Sequence, residues 1–504
     1  MSFVNAVEKK VNKTAYTENG ALSYQSSLDD VLDFFSKSGA LRNKHEEYLD
    51  HFIKAFRRDK TLANKALFYS RDIRGGQGER ENFKRVLKWL ATRHAEEFKP
   101  NLKLIPFFGR WDDLYAFVGT PLQDAAFQVM KDQFDEDVKL LDEGKSAEQA
   151  GSFRPKPVSL LGKWLKSENT SSKECKQLGR LTRKFFALNS KAYRQKLSEL
   201  RKRIDIVERF MTSGNWSEIN YEYVPSKAMK NYIKAFKKHD EVRYNEYIRS
   251  VQKGTAKINA STLYPYEIVR EFISDYSVQE PDNSTELDEL WKHLPNYFDS
   301  EAKNVMCVVD VSGSMCDGHD PRIKPIHVAI SLGLYMAERN HGPFKDCFLT
   351  FSTSPQLVKV RGNTLYEKIK FMIKANWTGS TNIMNAFKLI LDVAVENQLK
   401  QEDIPEKLFI ISDMQFDEAT DQNDKTTFEA IDEMFSRNGY KRPELVFWNV
   451  NAKSDSPVTK DEVGAYLVSG MSPTILKNAL NVKETTALEL MLDVLNGDRY
   501  KEIV

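Results

Sequence analysis

The sequence predicts a multidomain protein of the α and α/β classes, with an α-helical repeat domain followed by a doubly wound α/β domain. From about residue 28 to 296, apolar residues recur at the helical spacing i, i+3, i+4 and i+7. After residue 304, short apolar runs alternate with helical stretches, a pattern typical of parallel sheets. A chain of 504 residues is also too long for one ordinary core. We therefore predict domains at 1–299 and 300–504.

The first region begins with four amphipathic segments that short polar or glycine-containing breaks separate. These segments are LDDVLDFFSKSGALR, EEYLDHFIKAFRRD, TLANKALFYSRDI and RENFKRVLKWLATRH. Successive helices with short connections predict stacked, HEAT-like helical pairs in a solenoid or ring, although no repeat of fixed period is visible. The stretch RGGQG at 74–78 predicts an interhelical turn. It lacks the Walker lysine and does not follow a strand, so it does not match a phosphate loop.

The second region shows a change of period after a transition at 281–304. The predicted strands are NVMCVVD (304–310), CFLTF (347–351), QLVKV (356–360), KLFIISD (407–413), ELVFWNV (444–450) and AYLVSG (465–470). Continuous apolar strands between amphipathic helices predict a mostly parallel sheet with both faces covered. In such sheets, ligands bind beyond the carboxyl ends of the strands.

Oxygen-bearing side chains follow the predicted strands or precede a helix at three places in this region. They are Asp310, Ser312 and Ser314 in the first loop, Thr381 in the second and Asp413 in the third. Carboxylate and hydroxyl oxygens suit Mg²⁺ or Mn²⁺ better than zinc. Gly313 would allow a tight turn in which both serines face the ion. Taken alone, the first loop could also be a strand-to-helix turn with a capping residue.

Residues 300–504 resemble a von Willebrand factor A domain, whose metal-ion-dependent adhesion site has the pattern DxSxS, then a threonine, then an aspartate. The resemblance implies that Ser312 and Ser314 bind the ion directly. It implies that Thr381, Asp310 and Asp413 bind it directly or through water. A partner protein would supply an acidic group to the remaining coordination position.

The helical region also carries a resemblance, in segments such as FFGRWDDLYAF and GTAKINASTLYPYEIV. These are similar to a poorly characterised viral, bacterial and eukaryotic family that pairs such a region with a C-terminal von Willebrand A domain. The arrangement resembles, more remotely, the TROVE-module proteins of the Ro autoantigen type. That resemblance implies a ring of helical repeats that binds small structured or misfolded RNAs.

The formal net charge of +2 conceals an uneven distribution along the chain. Residues 154–257 contain 25 lysines and arginines against 10 acidic residues, whereas residues 301–504 contain 23 against 29. Clustered cations predict phosphate binding, and the resemblance favours RNA over DNA. A solvated helix face is the alternative for any one cluster. The candidate nucleic-acid contacts are Lys163, Lys166, Lys176, Arg180, Arg183, Lys184, Lys191, Arg194, Lys196, Arg201, Lys202, Arg203, Lys227, Lys230, Lys234, Lys237 and Lys238.

Aromatic residues lie among these cations, and they are more typical of a core than of stacking platforms. They are Trp164, Phe185, Phe186 and Tyr193. Four scattered cysteines without zinc-ligand spacing predict a reducing compartment. The absence of an apolar run of about 18 residues argues against a membrane span, and we expect a cytoplasmic protein.

Catalytic motifs such as GxSxG and HExxH do not occur, so the sequence does not predict an enzyme. Near the metal motif, His319, His327 and His341 are not expected to be ligands, and Cys316 is expected to fill space. The leading hypothesis is a non-enzymatic RNA-binding scaffold whose metal site recruits a partner carboxylate. The alternative is a metal-dependent protein-interaction or assembly factor, possibly viral, that binds no RNA. A metal-dependent hydrolase is a third option.

Overall fold

The computed structural model describes residues 14–16, 22–149, 157–274, 277–298, 304–316, 323–352, 354–375, 383–414, 427–451, 456–480 and 484–504. The chain forms two compact units. One consists of residues 1–79 and 258–502, which we call the sheet unit, and the other of residues 80–257 with 503–504, which we call the helical unit. The predicted boundary at 299/300 does not coincide with the limits of either unit. Helical segments from both sides of the helical unit thus belong with the C-terminal sheet.

The helices of the described residues are numbered in chain order. They are α1 Asp30–Lys37, α2 His45–Arg58, α3 Lys60–Arg71, α4 Glu81–Arg93, α5 Ala95–Phe98, α6 Ile105–Phe108, α7 Gln123–Gln149, α8 Leu161–Trp164, α9 Lys173–Phe185, α10 Ser190–Ile204, α11 Val207–Ser213, α12 Ser226–His239, α13 Glu241–Gln252, α14 Pro265–Val269, α15 Ser284–Lys292, α16 Pro325–Arg339, α17 Leu365–Ile373, α18 Ile383–Glu396, α19 Thr427–Arg437, α20 Thr474–Leu480 and α21 Ala487–Asn496.

The strands are β1 Thr14–Tyr16, β2 Leu22–Tyr24, β3 Ile273–Ser274, β4 Ser277–Val278, β5 Val305–Val309, β6 Cys347–Thr350, β7 Leu357–Lys359, β8 Lys407–Ser412, β9 Glu444–Asn449 and β10 Ala465–Ser469. Short 3₁₀ turns include Trp111–Phe117, Gly313–Cys316 and Asp498–Tyr500. The four amphipathic segments of the first region are confirmed as helices. The hairpins β1–β2 and β3–β4 were not predicted.

The main sheet has six strands in the order β10-β9-β8-β5-β6-β7. Neighbouring strands are parallel, except that β7 runs antiparallel to β6. All six predicted strands are confirmed. Five of them are buried along their whole length and retain apolar runs, whereas the outermost strand β7 is largely exposed. From β5 the chain first adds β6 and β7 on one side and then continues at β8 on the other. The order therefore reverses between β5 and β8, where open α/β sheets place their ligand crevice.

Helices of the sheet unit pack against this sheet. Helix α16 contacts β5, β6 and β8, while α1 and α21 contact β10. Asp29 precedes the first residue of α1, and its side chain caps the backbone amides of Val31 and Leu32. After α1, the Gly39 amide donates a hydrogen bond of 3.1 Å to the Ser469 hydroxyl at the end of β10. The N-terminal helices thus help to enclose the C-terminal sheet.

The stretch RGGQG is a turn between α3 and α4, as the sequence predicts. A Cβ atom on Gly76 would lie 1.9 Å from the Tyr69 carbonyl oxygen, so only glycine fits there. Asp72, which is fully buried, accepts hydrogen bonds from Arg499, including one of 2.7 Å from Nη2, and one of 3.0 Å from the Tyr500 hydroxyl. Arg71 is also buried and does not add to a basic surface. This turn therefore has a packing role in the sheet unit.

The helical unit is built from α4 to α13, and its described residues include no strand. Helix α4 packs against the 3₁₀ turn Trp111–Phe117, α10 packs against α7 and α8, and α12 packs against α13. Large buried side chains such as Phe83, Tyr193 and Tyr244 form its core. The description of this region as helical is confirmed, whereas HEAT-like stacking remains a prediction.

Candidate functional site

The candidate metal ligands of the first and third loops meet at one edge of the main sheet. Strands β5 and β8 are parallel neighbours, with Val309 paired to Ile411. The amide of Asp310 donates a hydrogen bond of 3.0 Å to the Ile411 carbonyl, which continues the ladder one residue further. Asp310 therefore follows β5 at the level where β8 ends, and Asp413 follows β8 directly.

The Asp310 carboxylate is fully buried and fixed on both oxygens. Oδ1 accepts a hydrogen bond of 2.9 Å from the Ser312 amide, and Oδ2 accepts one of 2.6 Å from the Ser412 hydroxyl. The Ser412 hydroxyl in turn accepts a hydrogen bond of 3.1 Å from the Met414 amide. These bonds hold the carboxylate in one orientation at the strand end.

The two serines of the DxSxS motif place their hydroxyl oxygens 3.1 Å apart. The 3₁₀ turn Gly313–Cys316 brings them together, and the Met315 amide donates to the Ser312 carbonyl at 3.0 Å. The tight turn expected at Gly313 is present, although its conformation does not require glycine. A Cβ atom on Gly313 would meet nothing within 4 Å, and Gly313 is not among the residues with positive φ.

Asp413 is fully buried beside Asp310. Burial raises the pKa of the Asp310 carboxyl, and the charge of Asp413 raises it further, to about 6, although hydrogen bonds from Ser412 and Ser312 oppose the shift. Two neighbouring buried carboxylates disfavour each other's ionised form, and a bound cation would relieve that cost. Two carboxylates and two hydroxyls at one strand edge are a donor set that fits a hard divalent cation.

Thr381 lies outside the described residues, as does His319. His327 is buried in the first turn of α16, and His341 is exposed. Across the described ranges, histidine, cysteine and acidic side chains form no group of three or more that could hold a metal ion. The site at the sheet edge therefore depends on hydroxyl ligands as well as carboxylates.

Ser412 is a residue of the candidate site that sequence reasoning missed. It lies in IISD, the residue before Asp413, and its buried hydroxyl orients Asp310. A serine at the end of an otherwise apolar strand is the signal that could have identified it.

The predicted nucleic-acid contacts all lie in the helical unit, and the structure divides them by exposure. Eight are exposed: Arg180, Lys184, Lys191, Arg194, Lys202, Lys227, Lys234 and Lys238. The other nine are partly covered: Lys163, Lys166, Lys176, Arg183, Lys196, Arg201, Arg203, Lys230 and Lys237. The exposed set belongs to α9, α10 and α12 and can meet a ligand without rearrangement.

Several partly covered cations already contact protein groups. Arg183 pairs with Glu168 at 2.8 Å, and Lys196 lies 3.6 Å from Asp142. Arg201 donates to the Gly162 carbonyl at 3.0 Å, the Leu165 carbonyl at 2.9 Å and the Ser167 hydroxyl at 2.9 Å. Arg201 thus holds the end of α8.

The aromatic residues of this region agree with the interpretation as core. Phe186 and Tyr193 are buried, and Phe185 packs against Phe127 with ring centroids 5.5 Å apart. Trp164 is half-buried and stacks under the guanidinium of Arg110 at 4.0 Å.

Arg110 belongs to a second set of cations, around Asp112, and sequence reasoning missed it because it precedes the basic stretch at 154–257. Arg110 makes a bidentate contact to the Asp112 carboxylate at 2.9 and 2.8 Å, and Arg80 reaches the same carboxylate at 3.2 Å. Lys166, which was predicted, lies 3.6 Å from it. The signal in the sequence for further cations nearby is the stretch RENFKRVLK, which begins at Arg80 and continues along α4.

The fold and the strand-end loops define a protein with a helical region and a C-terminal α/β domain. Residues 17–128 and 122–297 match the model of a domain of unknown function, DUF2828. These matches span more than half of the chain, so the chain belongs to the DUF2828 family. Residues 304–499 match a second domain of unknown function, DUF7788.

A curated relative and a solved structure are similar to this chain over most of its length. Uncharacterized protein L728 of Acanthamoeba polyphaga mimivirus is 28% identical over 519 residues, covering 95% of this chain and 87% of the viral protein. The crystal structure of the Deinococcus radiodurans RO (RSR) protein matches 89% of this chain and 94% of that chain, at 12% identity and a TM-score of 0.40.

Two further observations bear on the setting of the protein. Among the helices that the structure describes, none has both the length and the apolar character needed to cross a membrane. Within the described residues, Cys175, Cys307, Cys316 and Cys347 form no disulfide bond. Burial raises the pKa of the Cys307 thiol to about 12, so this side chain is an inert part of the sheet core.

Proposed function

We propose that this protein is a non-enzymatic scaffold that binds a divalent cation at the edge of its sheet and RNA on its helical unit. The observation that carries the proposal is the meeting of Asp310, Ser312, Ser314 and Asp413 at the adjoining ends of β5 and β8. Mg²⁺, or Mn²⁺ in its place, prefers such oxygen donors. The site would work as a von Willebrand A adhesion site does.

In this proposal the serine hydroxyls bind the ion directly, and the two aspartates bind it directly or through water. Thr381 is a further ligand in this proposal, because the sequence resemblance implies it. The ion keeps a coordination position for an acidic side chain of a partner protein, which the positive charge attracts. Because the carboxylate of Asp310 is held by Ser412 and the Ser312 amide, it needs little reorganisation when the ion enters.

The metal site is tested with Asp310→Ala and a matched control, Asp392→Ala, in the full chain. Asp392 is an exposed aspartate on α18, so its removal changes the charge equally without touching the sheet edge. We expect Asp310→Ala to abolish saturable Mg²⁺ and Mn²⁺ binding in calorimetry, and Asp392→Ala to leave it unchanged. Unchanged metal affinity in Asp310→Ala would contradict the assignment.

The non-enzymatic part of the proposal has its own test. Divalent-ion-dependent turnover of a phosphoester or peptide substrate that disappears in Asp310→Ala would show that the site is catalytic.

RNA binding is supported by the exposed cations of α9, α10 and α12 and by the net positive charge of residues 154–257. Each phosphate contact releases counterions, so the affinity for single-stranded RNA should fall with a slope of about −0.7 per contact in log K against log salt. We expect the double variant Lys191→Glu and Arg194→Glu to reduce both the affinity and the slope. The control, Lys400→Glu with Lys501→Glu in the sheet unit, should leave both unchanged. No RNA binding by the full chain at low salt would contradict the proposal.

A second candidate is a metal-dependent interaction or assembly factor that binds no RNA. The ion pairs of Arg183 and Lys196 favour it, because they neutralise part of the basic region. The absorbance ratio at 260 and 280 nm distinguishes the two candidates. A raised ratio that nuclease treatment lowers supports the RNA scaffold, and a protein-like ratio supports the assembly factor.

For either candidate function, the cysteines, which form no disulfide within the described residues, support a reducing compartment, and we place the protein in the cytoplasm.

A further inference from the structure

A cleft of about 820 Å³ lies within the helical unit, between the first turns of α4 and α9. Asp112, Tyr115 and Ala116 of the turn Trp111–Phe117 also line it. We call it the α4–α9 cleft. Its volume falls in the range of about 300–1,000 Å³ that suits small organic ligands. Five cations line it: Arg80, Lys84, Arg85, Lys88 and Lys166.

The buried carboxylate of Asp112 organises part of this charge. It contacts Arg80 and Lys166 from the lining, and it also makes the bidentate contact with Arg110. Asp112 is 6% exposed and contacts three cationic groups, of which Arg80 also lies 3.8 Å from Glu81 and 3.9 Å from Asp113. The lining carries five cations against three acidic residues, Glu81, Asp112 and Glu174, so a net positive charge remains.

The other lining cations lie on α4 and have fewer acidic partners than the cations around Asp112. Lys84 pairs with Glu81 at 3.6 Å. Arg85 and Lys88 are exposed, and within the part of the chain that the structure describes neither has an acidic partner. Like charges three and four residues apart destabilise a helix. A helix that keeps three cations on the wall of a cleft gains stability from an anion bound there.

Two helix N-termini add to the positive potential. Glu81 and Lys84 belong to the first turn of α4, and Glu174 and Cys175 belong to the first turn of α9. Both helices have 13 residues, so each has a full macrodipole, whose positive end lies at the cleft. Helix N-termini together with cations favour phosphate groups.

The row of cations also indicates the length of the ligand. A helix rises about 1.5 Å per residue, so Arg80 and Lys88 lie about 12 Å apart along α4. A single phosphate would engage only part of this row, whereas successive phosphoryl groups would engage all of it. We infer that the α4–α9 cleft binds a short chain of phosphoryl groups, supplied by a nucleoside triphosphate or by the 5′-triphosphate end of an RNA. This inference depends on neither the metal site nor the RNA surface proposed above.

The test is calorimetric titration of the full chain with inorganic tripolyphosphate and with ATP, at about 0.15 M salt. The variant is Arg85→Ala with Lys88→Ala, which removes two exposed side chains and should not affect folding. The control is Lys234→Ala with Lys238→Ala on α12, which removes the same charge from exposed positions outside the cleft. We expect tripolyphosphate affinity to fall about tenfold or more in the variant and to change less than about twofold in the control. Circular dichroism checks that both proteins are folded.

Binding of two RNAs distinguishes a free nucleotide from an RNA end as the source of the phosphoryl groups. The two RNAs share one short sequence and differ only in carrying a 5′-triphosphate or a 5′-hydroxyl. If the ligand is an RNA end, the triphosphate RNA binds more tightly and loses that advantage in the variant. If the ligand is a free nucleotide, ATP saturates the cleft and the two RNAs bind alike. The inference is overturned if the unmodified chain shows no saturable tripolyphosphate binding, or if variant and control lose affinity equally. The inference is also overturned if the variant weakens binding of the 5′-hydroxyl RNA but not of the triphosphate RNA. That outcome would leave the proposal of RNA binding in place.

Discussion

Asp112 and Asp310 are both buried carboxylates, yet their surroundings shift their pKa values in opposite directions. Burial alone raises the pKa of Asp112, but the charges of Arg110 and Arg80 outweigh it and lower the pKa below its usual range. Burial and the neighbouring Asp413 raise the pKa of Asp310 to about 6. The sign of the nearest charges thus decides whether the pKa of a buried acid in this protein is lowered or raised.

The lowered pKa of Asp112 predicts a pH-dependent contribution to stability. A depressed folded-state pKa stabilises the fold above the unfolded value, about 3.9, and the contribution is lost as the pH falls through the folded value. We expect Asp112→Asn to lower the free energy of unfolding at pH 7 by about 2 kcal/mol. In urea denaturation from pH 7 down to about pH 3, the difference in free energy of unfolding between the unmodified protein and Asp112→Asn should decrease. A difference that stays constant over this range would contradict this explanation.

Arg201 and Lys202 are adjacent cations of α10 with different surroundings. Arg201 donates to three acceptors around the end of α8, whereas Lys202 is exposed. We expect Arg201→Ala to cost about 2 kcal/mol of stability, because it leaves partly buried acceptors without their donor. Lys202→Ala should leave stability unchanged and weaken RNA binding. Denaturation and RNA titration of both variants check this, and equal stability of the two would refute the structural role of Arg201.

At the scale of elements, close packing explains why some loops admit only one residue type. The turn between α3 and α4 brings Gly76 against the Tyr69 carbonyl, and the Gln77 amide donates to the same carbonyl at 3.1 Å. By contrast, the turn at Gly313 leaves room for a side chain. The glycines of RGGQG therefore serve packing in the sheet unit, although they resemble a phosphate loop in composition.

We expect Gly76→Ala to destabilise the protein by about 3 kcal/mol, because its Cβ atom would collide with backbone that cannot move freely. The control is Gly254→Ala. Gly254 has a positive φ of 71° but nothing within 4 Å of its added Cβ atom, so only backbone strain, about 1 kcal/mol, applies there. Urea denaturation of both variants measures the difference. Similar losses in the two proteins would show that steric overlap is not the cause.

At the scale of the whole molecule, the sheet unit is assembled from two segments far apart in sequence. Helix α1 packs against β10, and Asp72 binds Arg499 and Tyr500 after the last long helix. Residues 1–79 therefore contribute to the unit that contains the candidate metal site. The domain boundary at 299/300, predicted from the change in hydrophobic periodicity, separates segments that share one core.

This organisation predicts that a fragment of residues 300–504 is incompletely packed. In hydrogen exchange, the amides of β10 should exchange faster in the fragment than in the full chain, since α1 no longer covers that strand. The central strand β8 of the same fragment is the internal control and should be affected less. Equal protection of β10 in fragment and full chain would show that residues 1–79 are dispensable for this core.

Much of the fold was predictable because it depends on local patterns. The six strands of the sheet are short apolar runs with polar ends, and their limits agree with the structure within one or two residues. Asp310, Ser312 and Asp413 were identified because parallel strands bring their carboxyl ends to one edge of a sheet. Ser412 was missed, because its significance depends on Asp310, a partner 102 positions away in sequence. Arg110 was missed because it lies outside the basic stretch at 154–257.

The sequence by itself determined the order of helices and strands, the loops that carry the candidate metal ligands and the uneven distribution of charge. Each depends on residue type and spacing along the chain. Only the tertiary structure decided which cations are exposed, which carboxylates are paired, and that residues before 80 share a unit with the sheet. Those properties depend on contacts between residues distant in sequence, such as Asp72 and Tyr500, which are 428 positions apart. Periodicity reports which face of an element is buried, but it does not report what that face meets.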